Sequence, residues 1–232
     1  MLEAGQGVRV DGEEGLLVFM WRLAYPVRWR DMEMIFRRSE AVMRRVCDVV
    51  RERLLTVALE KLEELDVDAL LPWMATFEAA MARKGAPFEH CCALLDGTFR
   101  AIARPSRTGY RGPLQRAFYN SYKKRHGIEF LAVVTPDGLM REANGPHAGC
   151  LSEHTLLKMS KLLRRMQALV RRLGRFTHLY ADALFSSRSY PGCGLISATP
   201  KSRCATPTDV DLNTQMSAIR VPIEWTFGKV IS

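Results

Sequence analysis

Two acids follow two apolar runs in this chain: Asp96 after Cys91-Cys-Ala-Leu-Leu95, and Asp182 after Phe176-Thr-His-Leu-Tyr-Ala181. A third, Glu224, stands in a terminal segment that predicts a helix, with Pro222 acceptable in its first turn. Carboxylates delivered from the ends of separate strands and from a helix are hard oxygen ligands. They suit Mg²⁺, which keeps positions open for phosphate oxygens, and such a set can serve phosphoryl transfer. An Asp after a strand is more often a turn or N-cap residue, so spacing alone leaves both uses open.

The other metal-ligating type is cysteine, present at positions 47, 91, 92, 150, 193 and 204 without any CxxC spacing. Adjacent Cys91 and Cys92 in a strand point to opposite faces and cannot converge with His90 on one ion, so core packing is their expected role. A chain of 232 residues does not need disulfide staples, and the thiols are read as reduced.

The elements that must position the acids follow from periodicity. A polar, Gly-rich start reads as frayed. Residues 31–84 read as helical. Ser39 is an N-cap with Glu40 after it, and Val42, Val46, Val49, Val50, Leu54, Val57 and Leu62 form one apolar face. A second run from Asp66 or Asp68 carries Trp73, Met74, Phe77, Ala80 and Met81 and stops at Gly85-Ala86-Pro87. Residues 31–36 with the helix after Ser39 can form a helix-turn-helix, more often a packing unit than a DNA reader.

Strands follow at 91–95, 99–103 and 128–134, then a Pro136-Asp137-Gly138 turn and a strand at 139–143. One long amphipathic helix spans Leu156 to Leu173, with Lys158, Lys161, Arg164, Arg165, Arg171 and Arg172 on its outer face and Gly174 as its stop. A strand at 176–181 comes next, then loops to Pro207.

Charge is unevenly placed. Residues 1–96 carry 13 basic and 17 acidic side chains, residues 97–175 carry 16 and 4, and residues 176–232 carry 5 and 4. A basic middle third fits a polyanionic partner, nucleic acid before acidic membrane, and fits a merely solvated surface as well. No stretch approaches 18 apolar residues, and residues 15–21 are too short and wrongly flanked for a leader, so neither a membrane span nor a secretory signal is expected.

A set of ordered motifs runs along the same chain. They are Leu95-Asp96-Gly97-Thr98 with Arg104-Pro105; Gln115-Arg116, Tyr119-Asn120 and Tyr122-Lys123-Lys124-Arg125-His126; Val134-Thr-Pro-Asp-Gly-Leu139; Gly145-Pro146 with Gly149; Leu179-Tyr-Ala-Asp182; and Asn213 to Met216 leading to Arg220-Val-Pro-Ile-Glu224-Trp-Thr-Phe-Gly-Lys229. In this order, over roughly Trp21 to Lys229, the chain resembles the Harbinger-type DDE superfamily of transposases and transposase-derived nucleases.

The resemblance implies an α/β fold, a ribonuclease-H-like mixed sheet flanked by helices. A helical N-terminal region over residues 1–90 would precede a nuclease domain over residues 91–232. It implies Asp96, Asp182 and Glu224 as a catalytic, metal-binding triad for Mg²⁺ or Mn²⁺, cleaving DNA phosphodiester bonds and transferring the freed strand. Lys123, Lys124, Arg125, Arg220 and Lys229 would contact DNA phosphates. Arg220 and Glu224 stand four apart, so an intrahelical ion pair competes for both. A Myb-like accessory protein and nuclear localisation, with or without a cytoplasmic pool, are implied by the family alone.

Three positions depart from the family pattern. Ser152 and Glu153 replace a His-Asp pair, leaving Glu153 as an accessory carboxylate or as the partner of an N-cap. Ala183-Leu184-Phe185 after Asp182 predicts a bulkier wall beside the metal. The chain ends eight residues past Glu224 where the family helix continues, which implies a domain shortened at its C-terminus. Two alternatives stand beside an active nuclease: an inactive relic or domesticated copy that binds DNA or protein, and a basic α/β domain acting on nucleotide phosphates.

Overall fold

The computed structural model describes the chain except residues 4, 6, 26, 107–111, 186–193, 201–205 and 232, and the side chains of 112, 113, 222, 224–226 and 229–231. Contacts divide it into two units, Met1–Glu60 and Lys61–Ile231.

The first unit pairs β1 (Leu2–Glu3) with β2 (Arg9–Val10) and continues into α1 (Gly12–Ala24), α2 (Trp29–Phe36) and α3 (Glu40–Glu63). Residues 2–3 and 9–10 are therefore paired where the sequence suggested fraying. Asp11 caps α1, its carboxylate accepting from the Glu13 N–H, and Gly15 is buried where a Cβ would stand 2.5 Å from Leu2. In α3 the buried face is Met43, Val46, Cys47 and Val50, whereas Leu54, Val57 and Leu62 of the predicted stripe are exposed.

The second unit begins with α4 (Val67–Leu70), a 3-10 turn (Leu71–Trp73) and α5 (Met74–Arg83). Met74, Phe77 and Met81 are buried, and Trp73, expected on that face, is exposed. Then come β3 (Cys91–Ala101), α6 (Gly112–Phe118), β4 (Tyr119–Asn120), β5 (Arg125–Val134), β6 (Met140–Ala148), α7 (Glu153–Met159), α8 (Leu162–Leu173), β7 (His178–Ala181), β8 (Leu195–Ser197) and α9 (Pro207–Ile231).

The sheet runs β6, β5, β3, β7, β8, with β4 pairing only the start of β5. The β6–β5–β3 pairs are antiparallel, and β3–β7 and β7–β8 are parallel. A mixed sheet with helices, after N-terminal helices, is the ribonuclease-H-like arrangement the sequence implied.

Three elements differ from expectation. The two strands read at 91–95 and 99–103 are one strand, because Gly97 and Thr98 stay paired with Leu131 and Phe130 of β5. Asp96 is thus inside a strand and not at its end. The long basic helix is broken into α7 and α8: the Ser160 hydroxyl donates to Leu157 O and accepts from the Leu162 N–H, and Lys161 takes φ 56°. Finally, α9 starts fifteen residues before Pro222. Thr206 and Asp209 form a reciprocal cap, each backbone N–H bonded to the other side chain, at 3.0 and 3.2 Å, ahead of Pro207.

Two cores lie on opposite faces of the sheet. On one, Leu95, Leu131, Val133, Leu179 and Ala181 pack with Leu156, Leu157, Leu162, Met166 and Leu169 of α7 and α8. On the other, Leu94, Ala132, Val134 and Tyr180 pack with Met216, Ile219, Ile223 and Phe227 of α9. Cys91 and Cys92 divide between the two cores as free buried thiols, as expected of packing residues. Burial pushes the Cys92 thiol up to about 12. Cys193 and Cys204 lie outside the described residues.

A buried ion pair fastens the first core. Glu142, fully enclosed, accepts from Arg165 at 2.9 and 3.0 Å and from the Leu65 N–H at 3.0 Å. Each of its oxygens therefore has a donor, which is the condition under which a buried charge is tolerated.

His178, at the head of β7, is 2% exposed, and both ring nitrogens are buried without a hydrogen-bond partner among the described residues. Phe88 and Phe176 flank the ring at 6.2 and 6.0 Å. Burial, with His90 adding to it, holds the imidazole down at about 4. The unfolded chain takes up this proton near 6.5 and the folded one does not, so stability is full above about pH 6.5 and falls as pH drops towards 4. The loss is on the order of 2–3 kcal/mol. In urea unfolding measured from pH 7 to 4, His178→Leu is expected to lose stability less steeply than the parent chain; an equal slope would contradict this account.

Candidate active site

The site is built from the register of two parallel strands. Leu94 pairs with Tyr180 and Leu95 with Ala181, so the next residues, Asp96 and Asp182, are neighbours across the ladder. Leu94 and Tyr180 belong to the α9 face and Leu95 and Ala181 to the α7–α8 face. By alternation, Asp96 and Asp182 face α9. β7 ends there, and a turn follows in which the Phe185 N–H bonds Asp182 O at 3.0 Å and the Asp182 carboxylate accepts from the Ala183 N–H. Phe185 is buried in the α8-side core and Leu184 is exposed, so the bulk predicted beside the aspartates is turned away from them.

Arg220 of α9 enters between the two acids. Its guanidinium lies 3.2 Å from Asp96 Oδ1 through one terminal nitrogen and 3.3 Å from Asp182 Oδ2 through the other. The sequence offered a phosphate or Glu224 as its partner; the structure supplies both aspartates. Burial pushes the Asp96 carboxyl above its ordinary range, and the Arg220 charge acts against that. Burial works against the charge of Arg220, yet Asp96 and Asp182 together hold its affinity for the proton above the ordinary value. Tyr180, under the pair, is pushed up to about 12 by burial. Glu224 lies four residues beyond Arg220 in α9, and Lys229 nine beyond; both side chains fall outside the described residues.

Glu153 comes to the same stretch of β3 from the other face. Ser152 caps α7, its hydroxyl accepting from the Thr155 N–H at 3.2 Å, which sets Glu153 in the first turn. The carboxylate rests against Gly97, where a Cβ would stand 2.9 Å from Oε1. Any larger residue at 97 would displace it. Its Oε2 is buried with no partner among the described residues. Burial first, then Asp96, Glu129 and Asp182, push this carboxyl up to about 7, while Lys123 opposes them.

Glu129, which sequence reasoning passed over, is also buried and accepts from Asn120 Nδ2 at 3.1 Å. Its signal was its place inside the apolar run of β5. Lys123 and Lys124 occupy the exposed turn before β5, and Arg125 is the exposed first residue of that strand. Asn120 Oδ1 fixes the turn by accepting from the Tyr122 and Lys123 N–H groups at 3.0 and 2.8 Å.

Residues 75–231, more than half of the chain, match the family model described as DDE superfamily endonuclease. The chain belongs to that family. Comparison with curated proteins and with solved structures gives no match.

DDE endonucleases typically use divalent metal ions, and the residues here can be tested for that. Among the described residues, no three His, Cys, Asp or Glu side chains are grouped to hold one ion. The donor chemistry fits nonetheless. Two adjacent carboxylates already close on a positive group, and a third carboxylate close behind them has an oxygen without any donor. Among the described residues no helix is long and apolar enough to cross a membrane.

The crowding of carboxylates around one guanidinium predicts a stability effect. Folded Glu153 holds its proton up to about pH 7 and the unfolded chain releases it near 4.5, so this residue costs stability as pH rises through that window. Glu153→Gln is expected to be more stable than the parent at pH 8 in EDTA, by about 2 kcal/mol after screening, with the difference gone by pH 4.5. An equal or lower stability at pH 8 would show that the carboxylate is better satisfied than its surroundings indicate.

Proposed function

We propose that this chain is a Harbinger-type DNA endonuclease of the transposase kind, dependent on Mg²⁺ or Mn²⁺, with Asp96, Asp182 and Glu224 as the ion's ligands. The observation that carries this reading is the convergence of Asp96 and Asp182 on one positive group, from two strands whose register leaves them side by side. A cation bound there lowers the pKa of an attacking water and takes up charge on the leaving oxygen. The chain's own part is to hold two carboxylates at fixed spacing on a rigid sheet and to exclude competing donors by burial. Glu153 is an accessory carboxylate, raising the negative field from behind Gly97.

In this reading residues 91–232 form the nuclease domain, residues 1–90 the helical region before it, and DNA is the substrate. Lys123, Lys124 and Arg125, exposed on one turn and strand start, track the phosphate backbone, with Lys229 as a further contact. Such contacts add affinity without sequence information and make binding fall steeply with salt. A Myb-like partner supplies sequence recognition, and the protein works in the nucleus. Strand transfer follows cleavage, using the freed 3′ hydroxyl as the second nucleophile at the same carboxylates.

The test is nicking of supercoiled duplex DNA in Mn²⁺ and in Mg²⁺. Activity should vanish in EDTA and fall by about a thousand-fold or more in Asp96→Ala and in Asp182→Ala, the scale of losing a group that holds transition-state charge. Salt-sensitive DNA binding with no nicking in either metal would instead assign the chain to a DNA-binding relic.

A further inference from the structure

Arg220 reaches two partners that lie on the sheet and not on its own helix. Its side chain is 16% exposed and Asp96 15%, so these two charges meet where water screens them poorly, with Asp182 at 38% on the open side. The fork reaches the two aspartates through different terminal nitrogens, so each carboxylate has its own N–H donors. Its Nε is buried with no partner among the described residues. The separations of 3.2 and 3.3 Å exceed the about 2.7–2.9 Å of tightly engaged charge-assisted bonds. The arrangement is a clasp between two acids that would otherwise repel each other across the ladder, and a loosely closed one.

We propose that Arg220 is a built-in counter-cation: it holds Asp96 and Asp182 together in the metal-free protein and competes with the divalent ion for both. This rests on the reading of those aspartates as ion ligands. With the guanidinium in place the pair carries a net charge of minus one, and an incoming ion meets half the charge of two free carboxylates. The same oxygens cannot serve both cations fully, so ion binding loosens Arg220. The released side chain stays tethered to α9, one turn before Glu224, beside the place where a phosphate would lie. Arg220 is thus a positioning residue before the ion binds and a phosphate contact afterwards, which reconciles its observed partners with the phosphate role its sequence position suggests.

The test is thermal melting of the parent, Arg220→Gln and Arg220→Lys, in EDTA and across a Mn²⁺ titration without DNA. Arg220→Gln should melt lower in EDTA, because two unpaired carboxylates remain. Its apparent Mn²⁺ affinity, read from the rise in melting temperature, should be about five-fold or more tighter than the parent's. Arg220→Lys, which keeps the charge but presents it from a single nitrogen on a shorter side chain, should fall between and decides the matter if Arg220→Gln does not fold. A Mn²⁺ affinity unchanged or weakened in the variant that folds, with the parent binding, overturns the counter-cation and leaves the nuclease reading intact. No Mn²⁺ response in the parent or in any folded variant overturns both.

Discussion

Parallel pairing of Leu94 with Tyr180 and of Leu95 with Ala181 is the interaction on which the rest of the site depends. The side-chain period of a strand is two, so a slip of one residue would send Asp182 to the α7–α8 core and leave Asp96 alone on the other face. The register is held by apolar residues that alternate correctly on both strands, and β7 is tied on its far side by the Ala198 N–H bonding Ala181 O at 3.2 Å. α9 depends on the same register. Met216, Ile219, Ile223 and Phe227 seat it over Leu94 and Tyr180, and Arg220, next to Ile219, is thereby aimed at the two aspartates. One ladder sets the acids, the helix and the charge between them.

Two groups of buried charge in this fold contrast. Glu142 has donors for both oxygens from Arg165 and from the Leu65 N–H, and it fastens the start of the second unit to β6 and α8. Around Gly97 the accounts do not balance. Asp96, Asp182, Glu153 and Glu129 are answered by Arg220 and, more distantly, by Lys123, and one Glu153 oxygen has no donor. A satisfied pair is a structural joint, whereas a surplus of carboxylate raises pKa values and is the observation behind the proposed cation site. The family to which the chain belongs makes a divalent ion the natural source of that charge.

Much of this was legible in the sequence. The apolar runs around Leu95, Leu131 and Leu179 announced the central strands, and Leu156 to Leu173 announced the helical face that covers them. What failed were boundaries that depend on particular side chains. The Gly-rich start read as frayed, yet Gly15 is a contact with Leu2, and Ser160 ended α7 through its hydroxyl inside a periodicity that ran on without interruption. Gly97 looked like a turn residue and is the gap into which Glu153 fits. The Thr206–Asp209 cap was readable and would have lengthened α9, while Pro222 drew attention to the wrong start; packing under the sheet carries the helix past it. The partners of Arg220 were not readable, since Asp96 lies 124 residues away and only the fold brings it near.

The central claim is that Asp96 and Asp182 form one cation site. Isothermal titration of Mn²⁺ into the parent chain and into Asp96→Asn/Asp182→Asn measures it most directly, because the asparagines keep shape and remove charge. The account predicts saturable binding by the parent and none by the double variant, with the variant folded by circular dichroism. Equal binding by both chains would place the ion elsewhere and contradict it.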